Sequence, residues 1–147
     1  MNDTTEPIYL LDTNILVYSY DVTDQRKHQK AKELLQQCWQ RKKTYAISVQ
    51  NLAEFFVVIT KKVPSPLSIE NAEKIIKDII SFTHWKVLHY DQETLLQSMA
   101  LHKKSKKHFW DAVIAATMMG AGITHIYTEN TSDFAHFEKI VAVNPLA

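Results

Sequence analysis

The sequence predicts an α/β fold: a parallel sheet of four to five strands with helices on both faces. Three observations predict it. Short apolar runs of strand length alternate with longer stretches of helical periodicity along the whole chain, and that alternation gives parallel pairing through right-handed crossovers. With 46% hydrophobic residues among 147, the chain can build one core-bearing domain, read here as spanning residues 1–147. Glycine occurs only as Gly120 and Gly122. No Gly-rich turn therefore follows a strand, which argues against Walker-type and dinucleotide-binding loops.

The elements follow in order. Ile8 to Leu11 is apolar throughout and reads as a buried first strand. From Arg26 to Arg41, Ala31, Leu34, Leu35 and Cys38 recur at i, i+3, i+4 and i+7, an amphipathic helix. Tyr45 to Ile47 is the second strand. Ser48 is placed to cap a helix on which Leu52, Phe55, Phe56 and Ile59 repeat the helical spacing. Val63-Pro64-Ser65-Pro66 reads as a turn between helices. Ile69, Ala72, Ile75, Ile76, Ile79 and Ile80 mark the next helix. Trp85 to Leu88 is the third strand, and Leu95 and Met99 lie on the helix after it. Asp111 to Met119 is almost wholly apolar, as in a buried helix. Ile123 to Tyr127 gives the fourth strand, and Ile140 to Val143 a fifth.

Four acids interrupt this apolar pattern. Asp12 directly follows the first strand, Glu54 is wedged between Leu52-Ala53 and Phe55-Phe56, Asp111 opens the apolar helix, and Asp133 follows the fourth strand and precedes Phe134. Each position reads as buried, where an unpaired carboxylate is costly unless it is paired, protonated or bound to a metal. Structural alternatives are Asp12 and Asp111 as helix caps and Asp133 as a loop acid with Glu129 as its rival; Glu54, on an otherwise apolar helix face, is hard to explain as structure. In an open parallel sheet, ligands bind at the carboxyl ends of strands near the switch point. If the first and fourth strands are neighbours, all four acids reach that edge. Two carboxylates about 4 Å apart repel by roughly 4 kcal/mol at an effective dielectric of ~20, so such a cluster takes up protons or a cation. An all-oxygen donor set favours Mg²⁺ or Mn²⁺. None of the seven histidines sits at a convincing ligand spacing to another, which argues against zinc.

Bulk properties exclude other classes. No apolar run approaches the ~20 residues of a membrane span, and the polar, acidic start of the chain is not a signal peptide. Cys38 is the single cysteine, so no internal disulfide forms; it reads as a small buried side chain in a protein of the reducing cytoplasm. Net charge is +1, yet Arg26 to Lys43 holds seven Lys or Arg against Glu33 alone, and Lys103 to Lys107 holds four lysines and no acid. A positive rim around an acidic pocket suits a polyanion. Lys103, Lys104, Lys106 and Lys107 precede Asp111 and are the candidate phosphate contacts. Trp110 reads as a core or dimer-interface side chain, with base stacking as the alternative.

The motifs together resemble the PIN-domain family, and within it the VapC-like toxin nucleases. The matching segments are Leu10-Leu11-Asp12-Thr13-Asn14-Ile15-Leu16, Ile47-Ser48-Val49-Gln50-Asn51-Leu52-Ala53-Glu54-Phe55, Phe109-Trp110-Asp111-Ala112-Val113-Ile114-Ala115-Ala116 and Tyr127-Thr128-Glu129-Asn130-Thr131-Ser132-Asp133-Phe134, in the right order over nearly the whole chain. The resemblance implies a three-layer α/β/α sandwich. It implies that Asp12, Glu54 and Asp111 bind Mg²⁺ or Mn²⁺, with Asp133 as fourth acid and Glu129 as the alternative. Asn14 and Thr128 fall at positions that support these carboxylates. It further implies metal-dependent cleavage of RNA, a homodimer, and a cognate antitoxin that plugs the acidic groove. Two other readings compete: a PIN-fold module that binds RNA without cutting it, and a metal-dependent phosphatase. The phosphatase reading is weakened because Asn14 stands where a haloacid-dehalogenase-like motif after the first strand needs its second Asp.

Overall fold

The computed structural model describes residues 6–147; most of the polar N-terminal stretch lies outside the described residues. Strands β1 (Tyr9–Leu11), β2 (Tyr45–Ser48), β3 (Trp85–Leu88), β4 (His125–Tyr127) and β5 (Val141–Val143) form one sheet in the order β3-β2-β1-β4-β5. Every pairing is parallel. Leu10 stands opposite Ala46 on one side and Ile126 on the other, so the first and fourth strands are neighbours. The chain runs outward from β1 through β2 to β3, then returns to the other side of β1, which makes the β1–β4 boundary the switch point.

Helices α1 (Thr13–Tyr18), α2 (Gln25–Trp39), α3 (Val49–Lys61) and α4 (Ile69–Ser81) alternate with the first strands, and α5 (Gln92–Ser105) and α6 (Phe109–Gly120) with the later ones. The pleat sorts them into two outer layers. Leu11, Tyr45, Ile47 and Trp85 point to one face and pack with Ile15, Leu35, Phe55, Ile59 and Ile79 of the first four helices. Leu10, Ala46, Leu88 and Ile126 point to the other and pack with Ala112, Ala115 and Met118 of α6. Leu10 and Leu11 are both fully buried, as a strand covered on both faces requires. Cys38 is buried on α2, with its thiol on the carbonyl of His84.

Local chemistry sets the boundaries. Ser48 caps α3 by accepting from the Asn51 N–H at 3.0 Å, and the Asn51 side chain accepts from the Ser48 N–H in return, a reciprocal cap. Asp91 and Thr94 do the same for α5. Gly122 turns the chain from α6 toward β4 at φ +73°, a conformation that favours glycine. Two elements go beyond the sequence expectation: α1 directly after Asp12, and a single 3-10 turn at Thr131–Asp133. Both are shorter than two turns of periodicity. Among the described residues no helix is long and apolar enough to cross a membrane.

Candidate active site

The four acids predicted to converge do so. Asp12, Glu54, Asp111 and Asp133 line one cleft of about 740 Å³ at the carboxyl edge of the sheet, together with Thr13, Asn14 and Tyr18 of α1. Asp12 leaves β1 at the switch point; its N–H is held by the Tyr127 carbonyl of β4 at 2.9 Å. Asp12 also caps α1, its Oδ1 accepting from the Thr13 N–H at 2.8 Å. The cap reading is thus met, and the same side chain lines the cleft. Oδ2 accepts from Thr128 Oγ1 at 2.7 Å.

Glu54 corrects the expectation of burial: it is exposed. Its turn of α3, with Ala53 and Val57, faces the cleft mouth while Leu52, Phe55 and Ile59 take the core side. Thr13 Oγ1 donates to Glu54 Oε1 at 2.9 Å and receives the Asn51 amide at 3.0 Å. Asn51 is fully buried and also reaches Asp12 Oδ1 at 3.4 Å. Sequence reasoning assigned Asn51 no role. Its signal was a carboxamide on the face of an otherwise apolar helix.

Asp111 lies in the first turn of α6, which His108 caps through its backbone, so Asp111 is not the cap. The imidazole of His108 stands 4.0 Å from its carboxylate. Burial pushes the Asp111 carboxyl up to about 6, with the charges of Asp133, Asp12 and Glu54 adding to the rise and His108 opposing it. Asp12 is raised as well, first by burial and then by Glu54 and Asp133, against the hydrogen bonds from Thr128 and Thr13. The acids thus feel one another's charge across the cleft.

Glu129 is engaged elsewhere. Its carboxylate takes the Tyr18 hydroxyl at 2.8 Å and a short contact from Lys27, whose ammonium also lies over the Tyr18 ring. Burial acts to raise the Glu129 carboxyl, but the bonds from Lys27 and Tyr18 outweigh it and hold it low. Its backbone N–H donates to Asn14 Oδ1 at 3.2 Å. Asp133 lines the cleft, as does Asp21, and Glu129 does not.

Lys103, Lys104, Lys106 and Lys107 are exposed at the C-terminal end of α5 and the turn after it, where Lys106 closes the helix at φ 54°. None of the four lines the acidic cleft; Lys62 does. Trp110 is 56% exposed at the cleft wall, which corrects its reading as core. No residue in the first turn of α6 before Ala112 is buried, and burial starts at Ala112.

As they stand, no three His, Cys, Asp or Glu side chains among the described residues are grouped tightly enough to enclose an ion. The donor set nevertheless fits one. It is all oxygen, it carries mutual repulsion that raises two carboxyls, and the cleft is open to an incoming cation.

A parallel α/β domain with an acidic cleft at its switch point defines a class, and comparison with known proteins places the chain within it. Residues 9–140 match the PIN domain, and the chain belongs to the PIN-domain family. Members of this family generally use a divalent metal. A search of curated proteins gives no match. Among solved structures, a toxin-antitoxin complex from Klebsiella pneumoniae is similar at 26% identity and TM-score 0.63, over 93% of this chain and 97% of that one. The fold is shared with a sarcin-ricin loop cleaving VapC toxin of Mycobacterium tuberculosis, at 21% identity, TM-score 0.65, and 90% and 98% coverage. It is shared too with DNA-bound VapBC from Salmonella typhimurium, at 18% identity, TM-score 0.64, and 95% and 99% coverage.

Proposed function

We propose that this chain is a metal-dependent endoribonuclease, the toxin of a type II toxin-antitoxin pair, forming a single nuclease domain over residues 1–147. The observation that carries the reading is the convergence of Asp12, Glu54, Asp111 and Asp133, from four separate segments, on one cleft of a PIN fold. These four carboxylates would hold Mg²⁺ or Mn²⁺, which when bound supplies an acidified water and neutralises charge on the phosphate undergoing attack. The chain's own residues prepare the site. Thr128 fixes Oδ2 of Asp12, and Asn51 and Thr13 fix the Asp12–Glu54 side of the cleft. The Lys27–Glu129–Tyr18 cluster ties α1 and α2 to the segment after β4, and the Glu129 N–H holds Asn14. Lys62 adds a cation at the rim for the RNA backbone.

The similar structure from Klebsiella pneumoniae is a toxin-antitoxin complex, which supports a cognate antitoxin as partner. Leu95, Leu96 and Met99, left exposed together on α5, support a homodimer. The site of action is the cytoplasm, in keeping with a lone reduced thiol at Cys38.

The test is incubation of the purified chain with labelled RNA in Mn²⁺, in Mg²⁺ and in EDTA. Cleavage that needs metal and ceases in Asp12→Asn supports the reading. RNA retained but uncut in any metal makes the protein a binding module, and release of phosphate from small monoesters makes it a phosphatase.

A further inference from the structure

A second cavity, of about 430 Å³, opens between the C-terminal half of α5, the end of α6 and residues 136–139 before β5. It shares no lining residue with the acidic cleft, and its size suits a small ligand. Leu101, Met119 and Phe137 give it an apolar wall. Lys104 and Lys139 supply two cations against the single acid Glu138. The His136 ring lies tilted against Phe137 with ring centroids 4.0 Å apart. Both nitrogens of His136 are buried and have no hydrogen-bond partner among the described residues. Such a ring leaves a donor and an acceptor unmade, which is unfavourable until a ligand meets them.

The cavity is next door to the cleft. Asp133 lines one and His136 the other, and three residues span at most about 11 Å. Burial, helped by Lys107, keeps the His136 imidazole below its ordinary proton affinity. A neutral imidazole offers one donor and one acceptor on opposite sides of the ring, and either can meet a single group on the edge of a nucleobase.

Resting on the ribonuclease reading of the cleft, we propose that this second cavity takes the nucleotide that flanks the scissile phosphate in the substrate strand. Its base lies against Leu101, Met119 and Phe137 with its edge on His136, and its phosphate meets Lys104 and Lys139. One of the lysines singled out in the sequence thus acts here and not in the cleft.

The test uses the intact chain in EDTA, where RNA is bound and not cut. Anisotropy of a labelled single-stranded oligoribonucleotide is followed between 50 and 200 mM salt. Lys104→Ala/Lys139→Ala, both exposed positions, is expected to weaken binding several-fold. It is also expected to flatten the log–log salt slope by about 0.7, the contribution of one single-strand phosphate. His136→Gln is expected to leave the slope unchanged and alter the preferred base at one position beside the cut in a randomised RNA pool. Binding, slope and base preference all equal to the parent's, with the parent cutting RNA, would overturn the proposal. Adenosine or uridine monophosphate that binds the parent, is lost in the double variant, and is not displaced by the oligoribonucleotide would overturn the strand assignment. A parent that cuts no RNA sinks the ribonuclease reading by itself, and the EDTA binding still judges the cavity.

Discussion

Thr128 and Asp12, 116 positions apart, are joined by a 2.7 Å hydrogen bond from the threonine hydroxyl to Oδ2 of the aspartate. The bond crosses the switch point, where β1 and β4 lie side by side. Thr128 is fully buried, and its hydroxyl also accepts from the Asn130 N–H at 3.0 Å. One buried hydroxyl thus orients the central carboxylate and the start of the segment that delivers Asp133.

Thr128→Val removes the hydroxyl and keeps the shape of the side chain. Cleavage is expected to fall about 10–100-fold, the usual loss for a group that orients a metal-binding carboxylate. Thr128→Ser is expected to recover most of it. Single-turnover rates on labelled RNA check this, and a Val variant as fast as the parent would remove Thr128 from the mechanism.

Asp12→Asn and Asp111→Asn each remove one anionic oxygen donor without changing volume. Each is expected to lower cleavage by more than about 100-fold, beyond the loss from an outer partner. Both are expected to melt no lower than the parent in EDTA, since clustered like charge is relieved. Parent-like cleavage by both would show that the chemistry lies elsewhere.

The raised carboxyl of Asp111 sets a pH dependence. Its ordinary value of 3.8 is pushed up to about 6 in the folded chain, so proton binding favours folding. This contribution is fully present below about pH 4 and is lost as pH rises through 6. Two units at about 1.4 kcal/mol each, discounted for a solvent-open cleft, leave about 1–2 kcal/mol. The metal-free melting temperature is therefore expected to fall by about 2–6 °C more between pH 4 and 7 in the parent than in Asp111→Asn. Equal pH profiles for the two proteins would contradict the assignment.

Glu129 and Asp133 separate by function. Glu129→Gln loosens the contact with Lys27 and Tyr18 and is expected to leave cleavage within a few-fold of the parent. Asp133→Asn is expected to lose most of it, with raised metal demand. A metal titration of activity in both variants decides; the reverse ranking would make Glu129 the fourth acid.

Much of this was legible in the sequence because the signals were local. Asp12, Glu54 and Asp111 each broke an apolar run, and the strand–helix alternation placed them on one sheet edge. α1 escaped because six residues carry less than two turns of periodicity, and Asp12 serves as both cap and site residue. The Lys27–Glu129–Tyr18 cluster escaped because Glu129 lies more than a hundred positions from Lys27 and Tyr18, where no spacing rule reaches. Glu54 and Trp110 were expected to be buried because both sit in apolar helices. Periodicity gives the face of a helix and not where along it burial begins, and Trp110 lies before that point.

The central claim is that four carboxylates form one cation site, and Mn²⁺ binding followed by calorimetry at pH 7 tests it most directly. The account predicts saturable uptake by the parent that is lost or strongly weakened in Asp12→Asn/Asp111→Asn. No Mn²⁺ uptake by the parent, or equal uptake by the double variant, would contradict it.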